Sequence, residues 1–114
     1  MRKIVIDEQI YHWHFGRGSA SKVPHLTIIH LINQKKICWL LNFKLLDHFL
    51  LNDCMPAVYE GDNIAINLNQ PKFIAQIIFY LQQHNQNKQT EHFDGIEILS
   101  KLGYQIDPLF IPPS

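Results

Sequence analysis

The chain has 114 residues, 46% hydrophobic and 18% charged, with ten basic residues balanced by ten acidic ones. That length fits one domain, able to bury about two-thirds of its unfolded surface without a disulfide or metal. The composition excludes a disordered chain, and zero net charge excludes a global field that draws in nucleic acid or membrane.

Two cysteines, Cys38 and Cys54, are too few for a disulfide framework. Asp7 and Glu8 interrupt the apolar start Ile4-Val5-Ile6, so no secretion signal is read there. The longest apolar run, Leu45 to Leu51, contains Asp47 and His48 and falls far short of a membrane span. The expectation is a cytoplasmic protein with reduced thiols.

Lys3 to Ile6 and Ile10 to Phe15 read as two strands joined by Asp7-Glu8-Gln9. Within Tyr11-His12-Trp13-His14-Phe15 the side chains alternate between faces, so the three aromatics share one face and the two histidines the other. Gly16 to Pro24 is small and polar and reads as a loop; it lacks the strand-to-helix context of a phosphate loop. His25 to Ile32 and Ile37 to Phe43 form a second hairpin, turned by Asn33-Gln34-Lys35-Lys36. Leu26, Ile28, His30 and Ile32 lie on one face and Thr27, Ile29 and Leu31 on the other. The return strand puts Ile37, Trp39, Leu41 and Phe43 opposite Cys38 and Leu40. Strands apolar on both faces are covered on both faces, which requires helices on each side or a partner surface on one.

Leu45, Leu46, Phe49 and Leu50 have helical spacing over one or two turns, ended by Pro56. Glu60-Gly61-Asp62-Asn63 is a turn, and Ile64, Ile66 and Leu68 then alternate as a strand. Pro71 opens a helix at its first position, with Phe73, Ile74, Ile77, Ile78, Tyr80, Leu81 and His84 as its apolar stripe. Phe79 falls off that stripe, among Lys72, Gln76 and Gln83. After the polar connector Asn85 to Thr90, Asp94 caps a last helix from Gly95 to Leu102. Phe93 and Ile98 form its staple, Glu97 completes a capping-box pattern, and Gly103 ends it with Tyr104 packing back on Leu99. The tail from Asp107 to Ser114 is extended. The fold expected is α+β: an antiparallel sheet of about five strands, from two N-terminal hairpins and a strand near 63–68, with helices near 71–84 and 95–102 on one face. Its central pair holds Ile28 and Trp39.

The charges are unevenly spread. Residues 1–44 carry seven Lys and Arg against two acids; residues 45–114 carry three against eight. Asp47, Asp53, Glu60 and Asp62 fall in a stretch with no Lys or Arg, and this asymmetry marks them, with Phe79, as candidate partner-binding residues. His12 and His14 are metal candidates if a third ligand approaches, from His25, His30, His48 or a nearby acid. No His-Glu-x-x-His or Cys-x-x-Cys motif and no nucleophile elbow is present. Cys38 reads as a core residue, and Cys54 has a loop context without a legible catalytic partner. The N-terminal basic residues and Arg17 and Lys22, which flank a small polar loop, are the only footprint for nucleic acid, and the neutral charge balance argues against strong phosphate binding. No catalytic residue, cofactor or bound metal is therefore assigned.

In size, cytoplasmic character and small α+β build, the chain resembles the small bacterial immunity proteins of polymorphic and contact-dependent toxin systems. The likeness is one of type and shares no motif, so no residue role carries over. It implies binding and neutralising a toxin domain without catalysis, here a basic, nuclease-like domain met by an acidic surface; a homodimer is compatible with this. A phage-encoded or regulatory inhibitor has the same binding logic. The alternative from another class is a small metal-binding protein or hydrolase using the His12 and His14 face.

Overall fold

The computed structural model describes residues 1–16, 23–44 and 54–108. The expected α+β class is found: a five-stranded mixed sheet, a three-stranded sheet and two helices in the C-terminal half. Three hairpins build most of it. Strands β1 (Arg2–Ile6) and β2 (Gln9–Gly16), β3 (His25–Ile32) and β4 (Lys35–Asn42), and β5 (Met55–Tyr59) and β6 (Asp62–Ile66) each turn through two residues. The turn pairs Asp7-Glu8, Asn33-Gln34 and Glu60-Gly61 all have positive φ. That is the signature of the type I′ turn, whose twist matches that of the flanking strands. All three turns are shorter than the sequence suggests because Ile6 pairs with Gln9, Ile32 with Lys35 and Tyr59 with Asp62.

Helix α1 (Pro71–His84) begins with proline in its first turn, as expected, and buries Phe73, Ile74, Ile77, Ile78 and Leu81. Tyr80 and His84 lie at the margin of that stripe, stacked on each other at 4.1 Å. Strand β7 (Thr90–Asp94) leads into helix α2 (Gly95–Lys101). The Asp94 carboxylate accepts from the backbone N–H of Ile96 and Glu97. At the other end Tyr104 N–H donates to Leu99 and Gly103 N–H to Ser100, with Gly103 at φ +100. These are the two bonds of a Schellman cap. Strand β8 (Gln105–Ile106) follows.

The large sheet runs β1-β2-β3-β4-β7, with β7 parallel to β4 and the other pairs antiparallel. Its fifth place thus belongs to β7, while β6 joins the smaller sheet β6-β5-β8. The expected inner pair holds: Ile28 on β3 and Trp39 on β4 are buried. Across the large sheet, Arg2, Trp13, Ile28, Trp39 and Glu91 form one row of partners, and Phe15, Leu26, Leu41 and Phe93 another. Both rows face the core. The Arg2 guanidinium lies over the Trp13 ring, 4.6 Å from its centre, and donates to the Asn69 carbonyl. One hydrophobic cluster joins this face to both helices and to Met55, Ala57, Ile66 and Ile106 of the small sheet. No helix among the described residues is long and apolar enough to cross a membrane. The helical spacing read at 45–50 and most of the 107–114 tail lie outside the described residues.

Candidate functional site

Two surfaces gather side chains that the fold itself does not consume. The first is the other face of the large sheet. Strand alternation puts Lys3, His12, Ile29, Cys38 and Thr90 in one row there, and His14, Thr27, Leu40 and His92 in the next. Gly16, His25, Asn42 and Asp94 form a third. Val5, Ile10 and Leu31 share this face and are 57%, 47% and 63% exposed. Both helices and the small sheet contribute to the core on the opposite side, and no described element packs on this one. The sequence demanded a second cover for a two-sided apolar hairpin, and among the described residues there is none.

His12 and His14 point away from the aromatic core, as their alternation requires. His25 and His92 join them on the same face. Successive same-face residues stand about 7 Å apart along a strand and neighbouring strands about 5 Å apart, so His92 is three strands from His14. Among the described residues no three His, Cys, Asp or Glu side chains converge on a common point that could hold a metal. Cys38 is half-buried on this open face rather than in the core, because it alternates with Trp39.

The acidic candidates scatter. Asp47 and Asp53 lie outside the described residues. Glu60 and Asp62 are exposed at the β5–β6 turn. Phe79 is 48% exposed on α1, as its position off the stripe predicts. It lines a shallow groove of about 340 Å³ with Ala75, Gln76, Tyr80, Gln83 and Leu102. A chain of contacts runs between turn and groove: Tyr59 stacks on Tyr104 at 4.7 Å, and the Tyr104 hydroxyl donates to Gln76. Burial pushes the Tyr104 hydroxyl above its ordinary pKa, partly offset by that bond to Gln76.

The second surface is a cleft of about 540 Å³ at the hairpin end of the core face. Helix α1 stops short of the β3–β4 turn, so the last core-facing side chains form a floor instead of an interior. Tyr11, His30, Ile37 and Trp39 make that floor, with Ile32 and Lys35 toward the turn. Gln82 and the connector residues Asn85 and Asn87 form the wall. The Gln82 amide donates to the Tyr11 hydroxyl at 2.8 Å, tying wall to floor. The Tyr11 ring meets His30 in a tilted arrangement at 4.2 Å and stacks against Trp39 at 6.0 Å. His30 is only 5% exposed, and burial lowers its pKa below the usual 6.5, keeping the ring neutral at neutral pH. Neither imidazole nitrogen has a hydrogen-bond partner among the described residues. The Trp39 indole N–H, also buried, lacks an acceptor among the described residues. Sequence reasoning named His30 only as a possible third metal ligand. The signal it passed over was a histidine in an otherwise apolar strand face.

Comparison with known proteins finds no matching family model, no similar curated protein and no similar solved structure.

Proposed function

We propose that this chain is a non-catalytic module that binds and neutralises a protein partner, in the manner of the small immunity proteins it resembles, and that it docks through the open face of the large sheet. The observation that supports this reading is an apolar strip that no described element covers, exposed at Val5, Ile10 and Leu31 and half-buried at Ile29 and Leu40, beside a strand pair whose sequence is apolar on both sides. Covering an exposed side chain of this size contributes about 1.5–3 kcal/mol. Three of them offset only the lower part of the association cost of about 4–15 kcal/mol, so the polar surround must contribute too. Lys3 and Lys36 flank the strip, with four histidines among the rows, Asp94 at its far end and Glu8 at the turn. A second copy docked face to face would bring two lysine-rimmed strips together. A partner with an apolar patch inside an acidic rim complements the strip better. The acidic turn at Glu60 and Asp62 is then a separate surface, available to a basic domain as the sequence suggests.

Affinity capture from the source cell, with bound proteins identified by mass spectrometry, tests this reading. The wild-type chain is expected to retain a partner that an Ile10→Glu, Leu31→Glu variant releases and a Glu60→Gln, Asp62→Asn variant keeps. The reverse pattern transfers the interface to the acidic turn. Capture of no protein by any of the three counts against a binding module altogether.

A further inference from the structure

We propose that the cleft over Tyr11, His30 and Trp39 is a binding site for a small planar heteroaromatic molecule of the nucleobase or nucleoside kind. This goes beyond the partner-docking reading and lies on the opposite face of the same sheet.

The size fits first. The cleft measures about 540 Å³, within the range of about 300–1,000 Å³ usual for small-molecule sites. Its chemistry is selective. The floor is aromatic, with the Tyr11 ring in contact with both His30 and Trp39 and flanked by Ile32 and Ile37, which suits a flat ring system. The uncharged polar groups are carboxamides, the Tyr11 hydroxyl, one neutral imidazole and one indole N–H. Carboxamides offer a donor beside an acceptor, the pattern that matches the edge of a base.

Several of these groups are already committed to the fold. Asn85 donates to the carbonyls of Leu81 and Gln82 and accepts from Asn87 N–H, and Gln82 holds Tyr11. Those bonds fix the wall. Others are left over: the Trp39 indole N–H is buried without a partner among the described residues, and the exposed side chains of Asn33 and Asn87 are free of bonds within the described fold. Buried polar groups are nearly always satisfied; the Trp39 indole N–H is the one such side-chain atom left unpaired among the described residues, and beside the His30 imidazole, whose nitrogens open onto the cleft, it points to a ligand that pairs with part of this set.

Charge narrows the class. Lys35 is the one charged residue in the lining. The wall is the C-terminal end of α1, the electronegative end of a helix. A triphosphate or diphosphate finds too little positive charge here, whereas an uncharged nucleoside meets no penalty.

Nuclear magnetic resonance of the full chain tests the proposal, with adenosine, guanosine, cytidine and uridine as probes. The Trp39 indole N–H is told from that of Trp13 by a Trp39→Phe variant. At least one nucleoside is expected to shift the Trp39 indole and the Asn87 side-chain amide saturably. Asn87→Gly, an exposed change that keeps the left-handed backbone at φ 57, should weaken that binding about tenfold, the effect of one lost pairing group; His30→Leu should weaken it as much or more. ATP should bind no more tightly than adenosine. Absence of a saturable shift with all four nucleosides overturns the site. Unchanged affinity in both variants, or tighter binding of a single-stranded oligonucleotide than of any nucleoside, overturns it equally. None of these results depends on whether a protein partner is captured on the other face.

Discussion

His30 and Gly95 each sit where one atom group decides the local energetics. Burial holds the His30 imidazole neutral, with its pKa below the ordinary 6.5. As pH falls through 6.5, the unfolded chain takes up this proton before the folded one, so stability declines on the acid side. Above that value the ring is neutral in both states and adds no pH dependence. Urea unfolding from about pH 8 to pH 5 should therefore give a flatter acid limb in His30→Leu than in wild type; identical limbs would contradict the burial of a neutral ring. Gly95 is constrained by space. A Cβ there would stand 2.3 Å from Cε1 of the buried Phe43 ring. Gly95→Ala should cost about 1–3 kcal/mol through overpacking, and the penalty should shrink in a Phe43→Leu background, as contacting positions couple. Equal penalties in both backgrounds, read from unfolding midpoints, would show that Phe43 is not what limits the site. The aromatic and histidine alternation of residues 11–15 was legible from sequence because a strand's period is two. The vacancy around His30 was not, since it depends on where a helix ends.

At the scale of elements, signals local to a few residues read correctly and signals spread across the chain did not. Pro71, the Asp94 cap and the Gly103 stop each act within one turn, and the structure contains all three. Strand β7 stayed hidden because its inward residues are Glu91 and Phe93, and a carboxylate on a core face breaks the apolar alternation. Glu91 is buried because it accepts from the backbone N–H of Gln86 at 2.7 Å and Lys88 at 3.1 Å, holding the connector that carries Asn85 and Asn87 along the cleft. Glu91→Ala strands both donors. It should lower stability by about 1–3 kcal/mol and speed hydrogen exchange at Gln86 and Lys88 ahead of the β3 and β4 amides; uniform acceleration would argue against a local role. Strand β5 was hidden by Pro56. That residue is exposed, and its carbonyl accepts from Asp107 N–H, so the small sheet tolerates the missing donor. The β3–β4 turn can be improved: Gln34 sits at φ 67 beside Asn33 at φ 50, where Asn-Gly is the preferred pair. Gln34→Gly should raise stability by up to about 1 kcal/mol, the relief of a left-handed non-glycine residue. A loss of stability on denaturant unfolding would contradict the type I′ assignment.

Over the whole molecule, the sheet is a boundary between a consumed face and an unconsumed one. Helices, small sheet and cleft all lie on the side of Trp13, Ile28 and Trp39, and the described residues leave the side of Ile10, Ile29 and Leu31 open. The sequence announced that both faces were apolar, which is a local property of two strands. It did not announce which alternative, helix or partner, covers the second, because that depends on the path of every later element. The acidic bias of residues 45–114 was equally plain, yet its two described members in the 45–71 stretch end at one hairpin turn, away from the open strip. The account stands on that strip, and isothermal titration with a purified captured partner tests it most directly. Ile10→Glu with Leu31→Glu should weaken binding at least about a hundredfold, since each apolar contact contributes about 1.5–3 kcal/mol, while Glu60→Gln with Asp62→Asn leaves it within about threefold. Unchanged affinity in the first pair, with circular dichroism showing both variants folded, would contradict it.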